Sequence, residues 1–143
     1  MMTHNSSKNA AISINESIEA GMAWLSLAQD STPDGGVSIR YSLLKGWESS
    51  YPETTGYIIP TFLKCYDIMG NSLYKDRAIR MAEWELSIQQ PDGSFIGGAF
   101  DQPVGKLVFD TGQILFGLIE AFNYSKDNRF LTSAIRSGDW LLS

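Results

Sequence analysis

Histidine and cysteine are almost missing from this chain of 143 residues, which has one of each, His4 and Cys65. A single cysteine cannot close an internal disulfide. With the histidine far out in a polar N-terminal stretch, Ser-His-Asp and Cys-His schemes lack a base, and a zinc site built from Cys and His lacks ligands. Cys65 lies within an apolar run and reads as a buried structural thiol. Positive charge is scarce as well. Eleven Lys and Arg against 16 Asp and Glu leave a formal charge of −5, with no basic patch to neutralise phosphates, which argues against nucleic acid as a partner. No phosphate loop is present, and no metal or other cofactor is expected. No apolar run reaches the ~18 residues that span a bilayer, so no membrane partner is expected. Residues 1–12 are polar and lack the apolar core of a secretory signal, so they read as a disordered tail and the protein as cytoplasmic. Residues 13–143 are enough for one domain with a real core, and 43% hydrophobic content fits a folded protein.

What is present is a repeat. Thr54-Thr55-Gly56 opens an apolar run, and 56 residues further on (54 to 110) Asp110-Thr111-Gly112 opens another. At the same offset Ala78-Ile79-Arg80 meets Ala134-Ile135-Arg136, and Trp84 meets Trp140. Along the chain, Ser13-Ile14-Asn15-Glu16 has capping-box spacing and predicts an amphipathic helix of about four turns that stops by Asp30. Thr54 is placed to cap a helix running to about Met69, apolar nearly all round and so to be covered on all sides. Pro60 inside it predicts a kink or a start nearer Ile58. Ser72 caps a second amphipathic helix with Tyr74, Ala78, Met81, Trp84 and Ile88 on its apolar side. A second all-apolar helix covers Ile114 to Tyr124, and a last amphipathic one carries Phe130, Leu131, Ala134, Ile135, Gly138, Leu141 and Leu142 inward. Two long loops, 37–53 and 94–109, separate these helices, and nothing reads as a strand. The alternation of amphipathic and all-apolar helices predicts an all-α fold of antiparallel hairpin repeats with inner and outer helices. A five-helix bundle is the competing architecture.

The phrase Trp84-(four residues)-Gln89-Gln90-Pro91-Asp92-Gly93-Ser94-Phe95 is echoed at Trp24-(four residues)-Gln29 and Asp34-Gly35-Gly36. Together with the helix alternation and the Thr-Gly openings, it resembles the α/α-toroid superfamily, in which helical hairpins ring a central cavity. Gln89-x-x-x-Gly93-x-Phe95 is similar to the Gln-x-x-x-Gly-x-Trp repeat of terpenoid cyclases, with Phe in place of Trp; the Asp-rich acid motif of their chemistry is absent. Tyr51-Pro52-Glu53-Thr54-Thr55-Gly56-Tyr57 and Phe109-Asp110-Thr111-Gly112-Gln113 are more similar to bacterial six-hairpin glycosidase-like and polysaccharide-processing proteins. That resemblance covers about residues 13 to 143. It implies a carbohydrate-directed protein, or a fragment of one, acting by hydrolysis, elimination or epimerisation on an oligosaccharide or polysaccharide. A chain with about two and a half hairpins cannot enclose a cavity alone, so it is either part of a longer toroid or a homo-oligomer. The alternative function is a non-catalytic module that binds a glycan or a protein partner through its concave face, and a third reading is a truncated product without activity.

In a toroid the starts of the inner helices face the cavity mouth, and Glu53 and Asp110 are the acids nearest them. They are candidates for the acid and base that glycosidic chemistry requires. For Asp110 the competing role is a helix N-cap, since its repeat partner Thr54 is also a good cap. Trp47, Tyr51 and Tyr57, with Glu48 to take hydroxyls, form a candidate sugar platform; the structural alternative is that they staple a long loop to the core. Asp101 in the glycine-rich second loop is an outlying candidate. Trp24, Trp84 and Trp140 hold matched positions and read as packing residues, and Asp34 and Asp92 read as turn residues before Gly.

Overall fold

The computed structural model describes residues 13–143, so the expected disordered tail at 1–12 lies outside the described residues. Five helices dominate: α1 Ile14–Asp30, α2 Pro52–Met69, α3 Ser72–Ile88, α4 Val108–Ser125 and α5 Asn128–Leu141. The long loops are not strand-free. The first folds into a hairpin of β1 Tyr41–Ser42 and β2 Gly46–Trp47, and the second into β3 Ile96–Ala99 and β4 Gln102–Lys106. Glycines at 97, 98 and 105 disguise the second hairpin, because Gly weakens the strand signal while permitting the bulge found between Gly97 and Gly98.

The helix starts correct several expectations. At α1 the capping box forms as its spacing predicts, with Glu16 N donating to Ser13 Oγ at 3.2 Å and Ser13 N to Glu16 Oε2 at 2.7 Å. Thr54 and Asp110, however, are not caps. The N-caps of α2 and α4 are Tyr51 and Leu107, neither with a side-chain cap bond. Pro52 supplies the first helical residue of α2, where a missing N–H costs nothing, so the helix begins two residues before Thr54. At α3 the cap is Asn71, one residue ahead of Ser72, with Oδ1 accepting from Leu73 N at 3.1 Å.

The residue after each of these acids and threonines does the anchoring. Thr55 Oγ1 accepts from Val37 N at 2.9 Å, and Thr111 Oγ1 accepts from Phe95 N at 3.1 Å. The starts of α2 and α4 thus each fasten the loop that leads into them. Two amides join neighbouring segments in a similar way. Gln29 Nε2 donates to the carbonyls of Gly35 and Arg77 at 3.1 and 3.2 Å, and Gln89 Nε2 to those of Gly93 and Ser133 at 3.2 and 2.9 Å. The Arg77–Asp30 ion pair adds to the join between α1 and α3, and the Arg129–Glu83 pair to that between α3 and α5. Asp34 and Asp92 serve their turns, taking the N–H groups of Gly36 and Ser94.

α2 and α4 pack backbone to backbone. A Cβ on Gly56 would lie 2.5 Å from Ile114 Cα, and one on Gly117 would collide with the Gly56 carbonyl oxygen. Pro60 explains why that carbonyl is free: without an N–H at position 60 the Gly56 oxygen loses its donor inside α2, and the bare backbone of α4 settles against it. The core between the layers is built from Ile59, Phe62, Leu63, Ala78, Met81, Ile114, Leu118 and Phe130, each at most 1% exposed. Truncating Phe62 to Ala there costs about 3–5 kcal/mol.

Two packing expectations fail. The apolar helices are not covered on every side, since Tyr57 and Ile68 of α2 and Val108, Phe109 and Phe116 of α4 are exposed. Ile135 of α5 and Leu142 just after it are exposed while Ser133 and Ser137 are buried; the Gln89 amide donates to the Ser133 carbonyl and the Ser137 hydroxyl, whereas the Ser133 hydroxyl has no hydrogen-bond partner among the described residues. Of the three matched tryptophans only Trp84 is buried, with its ring against Gly36. Among the described residues no helix is long and apolar enough to cross a membrane.

Candidate functional site

The first turns of α2 and α4 lie side by side, and each presents a buried carboxyl group. Glu53 is 9% exposed and Asp110 3%. Thr54 Oγ1 donates to Glu53 Oε2 at 3.1 Å. Asp110 Oδ2 is reached by the Tyr51 hydroxyl at a long 3.5 Å, and the backbone N–H groups of Gly98 and of Asp110 itself favour its charged form. Gly97 has to be glycine for this contact, since a Cβ would come within 2.6 Å of that oxygen.

Burial pushes Glu53 upward from the usual carboxylate range; the Thr54 hydroxyl opposes this and the Asp110 charge adds to it. Burial also raises Asp110, against the bonds from Gly98, Tyr51 and its own N–H. A helix N-terminus ordinarily favours the ionised carboxylate, so here desolvation outweighs the dipole. The Tyr51 phenol is raised by burial first and then by the charges of Asp110 and Glu53, which keeps it protonated and able to donate. Tyr51, Glu53 and Asp110 therefore form one electrostatic unit.

Beside it runs an aromatic groove of about 310 Å³ between α1, the β1–β2 hairpin and α2. Trp47 is half-buried there, with its ring centroid 4.7 Å from Trp24 and 5.1 Å from Tyr41. Tyr57 lines the same groove, as does Thr54, the residue that holds Glu53. A second cavity of about 380 Å³ is lined by Pro52, Gln89, Gly97, Gly98 and Phe100, among others. The two neighbours of Glu53 in sequence, Pro52 and Thr54, thus open on different depressions.

The remaining candidates sit at the rim. Glu48 is engaged by Arg40 in a two-pronged ion pair at 2.9 Å for each bond, which holds its carboxyl below the usual range and leaves it committed rather than free for sugar hydroxyls. Asp101, exposed in the β3–β4 turn, accepts from the Ser49 hydroxyl. Next to it Phe100 N donates to Ser50 O at 2.8 Å, so the two long loops are tied together.

Tyr41 was not proposed as a site residue, and Trp24 was read as a packing residue, yet Trp24 is 52% and Tyr41 47% exposed. The matched position of Trp24 pointed to packing, and that inference holds only for Trp84. The signal for Tyr41 was its pairing with Trp47 across a short hairpin turning at Gly46. Among the described residues no three His, Cys, Asp or Glu side chains are grouped to hold a metal ion. Comparison with protein-family models, curated proteins and solved structures gives no match to this chain.

Proposed function

We propose that this chain is a carbohydrate-directed helical-repeat protein of the α/α-toroid kind, or part of one, acting in polysaccharide processing. Supporting the repeat are the equivalent bonds of Thr55 and Thr111 and of Gln29 and Gln89. The observation that carries the function is the pair of buried carboxyls with raised proton affinity, Glu53 and Asp110, next to an open groove of clustered aromatic rings in tilted and edge-on contact. Flat rings bury the apolar face of a pyranose, and hydroxyls meet Thr54, Thr61 and the Tyr57 phenol along the same wall.

The two acids divide the chemistry by their partners. Asp110 is reached by the Tyr51 phenol, and the backbone N–H groups of Gly98 and of Asp110 itself favour its charged form, so of the two it is taken as the proton acceptor. Glu53 has one hydroxyl partner and a negative neighbour, and is the proton donor. In hydrolysis, Glu53 would protonate the leaving glycosidic oxygen while Asp110 takes a proton from the attacking water; elimination and epimerisation use the same donor and acceptor on a ring C–H. In this reading the chain works as a homo-oligomer. Glu53→Gln should abolish release of new reducing or unsaturated ends from a cognate polysaccharide while retaining its binding. Undiminished turnover would remove Glu53 from the chemistry. A glycan-binding module without catalysis is the second reading, favoured by the groove being open while both acids are nearly covered.

A further inference from the structure

Glu85 has no part in the acid pair or the aromatic groove. It lies in α3 at 0% exposure, and among the described residues neither carboxyl oxygen has a hydrogen-bond partner. A neutral acid can stay in such a place, but a carboxylate needs water or a donor. The seam beside it hangs on one oxygen. Asp34, whose charge acts on Glu85, accepts through Oδ1 from the Gly36 N–H at 2.9 Å and from the buried Ser50 hydroxyl at 2.7 Å. Ser50 O in turn accepts from Phe100 N at 2.8 Å, which ties the first long loop to the second. Trp84, the residue before Glu85, packs its ring against Gly36 and edge-on to Phe100, with centroids 5.8 Å apart. Phe100 is also a wall of the cavity of about 380 Å³ that Pro52 and Gly98 line.

We infer that Glu85 is a protonation switch on this seam. Neutral, it leaves the links from Asp34 through Ser50 to Phe100 closed; ionised, it repels the Asp34 turn and draws in water, parting the two loops along the wall of that cavity. The cations around α3 are engaged elsewhere. Arg77 pairs with Asp30 of α1, and Arg80 lies against Gly35. From α5, Arg129 pairs with Glu83 and Asp127, and Arg136 donates to the Gln90 and Pro91 carbonyls. The first turns of α2 and α4 bring acids, Glu53 and Asp110. The second loop adds Asp101, which accepts from Ser49, and Lys106, which pairs with Asp92. The charge that acts on Glu85 is that of Asp34, in the same direction as burial, so the acid stays protonated well above the ordinary carboxylate range. The closed seam is therefore favoured while Glu85 is protonated, and is lost as pH rises through the value that Glu85 has in the folded chain. The switch holds whether or not the cavity takes a sugar.

The test is amide hydrogen exchange on the full chain, read as protection factors so that the pH dependence of exchange itself is removed. Between pH 5 and pH 9 the protection of the Phe100 N–H should fall roughly tenfold or more, while Met81 and Ala82 in the buried part of α3 keep theirs. Glu85→Gln has nearly the same shape and no charge, and should hold the protection of Phe100 level across that range. Should that variant not fold, Asp34→Asn keeps an acceptor for Ser50 and removes the repelling charge, so the fall at Phe100 should shrink. Equal protection of Phe100 at both pH values in the wild-type chain overturns the switch, as does a fall that persists in Glu85→Gln or is undiminished in Asp34→Asn. A parallel fall at Met81 and Ala82 overturns it as well, because the whole chain would then be opening.

Discussion

Glu85 offers the sharpest quantitative check on the packing. It lies in α3 at 0% exposure, and among the described residues neither carboxyl oxygen has a hydrogen-bond partner. Burial drives its pKa well above the ordinary value, and the charge of Asp34 adds to the effect. A group whose folded pKa is raised contributes its full stability below the unfolded pKa and loses it as pH rises toward the folded one. From about pH 4.5 upward, Glu85 should therefore erode the folded state by roughly 1 kcal/mol per pH unit until it ionises in place. Leaving a buried polar group unpaired costs a further 1–3 kcal/mol or so. Glu85→Met fills a similar volume without either penalty. Urea unfolding followed by tryptophan fluorescence at pH 4.5, 6 and 7.5 should find the variant more stable throughout, with a margin that widens as pH rises. Glu53 and Asp110 are also raised and give both proteins a residual slope of the same sign, so the difference between the two curves isolates Glu85. A constant margin, or a variant less stable at pH 7.5, would show that Glu85 is paired, and would refute the reasoning.

Other consequences follow from the helix starts and the α2–α4 contact. Thr55→Val and Thr111→Val each strand a loop N–H and should cost about 1–3 kcal/mol in urea unfolding; a loss near zero at both would mean the hydroxyls do not anchor the loops. Gly117→Ala forces a methyl against the Gly56 carbonyl and should cost about 1–3 kcal/mol or more, whereas Gly21→Ala, with open space around its Cβ in the exposed face of α1, should add about 0.5–1 kcal/mol. Equal effects of the two alanines would contradict the close approach.

The mainly helical character of the fold was legible in the sequence because its helix starts, stops and apolar stripes are written in local chemistry. The capping box at Ser13, the glycine stop at Gly70 and the buried stripe Ala78, Met81 and Trp84 all follow from local chemistry. What local chemistry could not show was who meets whom. Thr54 looks like a cap, yet Pro52 starts the helix earlier and turns Thr54 into a partner for Glu53. Glu48 looks free until Arg40 arrives across the hairpin. Glu85 carries no mark in the sequence, and only the packing of the helices shows it sealed inside. At the site, Glu53 and Asp110 were found from their position near helix starts and Tyr51 as part of an aromatic platform, while Trp24 and Tyr41 needed the hairpin to bring them onto Trp47.

The central claim is that the acid pair and the aromatic groove make a carbohydrate site, and direct glycan binding tests it. Wild-type protein, Trp47→Ala and Glu53→Gln are titrated with the same set of bacterial polysaccharides and oligosaccharides, reading intrinsic tryptophan fluorescence and affinity retention together. The account predicts that at least one glycan is held, that Trp47→Ala weakens it by roughly thirtyfold as expected for loss of an aromatic anchor, and that Glu53→Gln holds it unchanged. Equal binding by Trp47→Ala and wild type, or no glycan held by the wild-type protein, would contradict it.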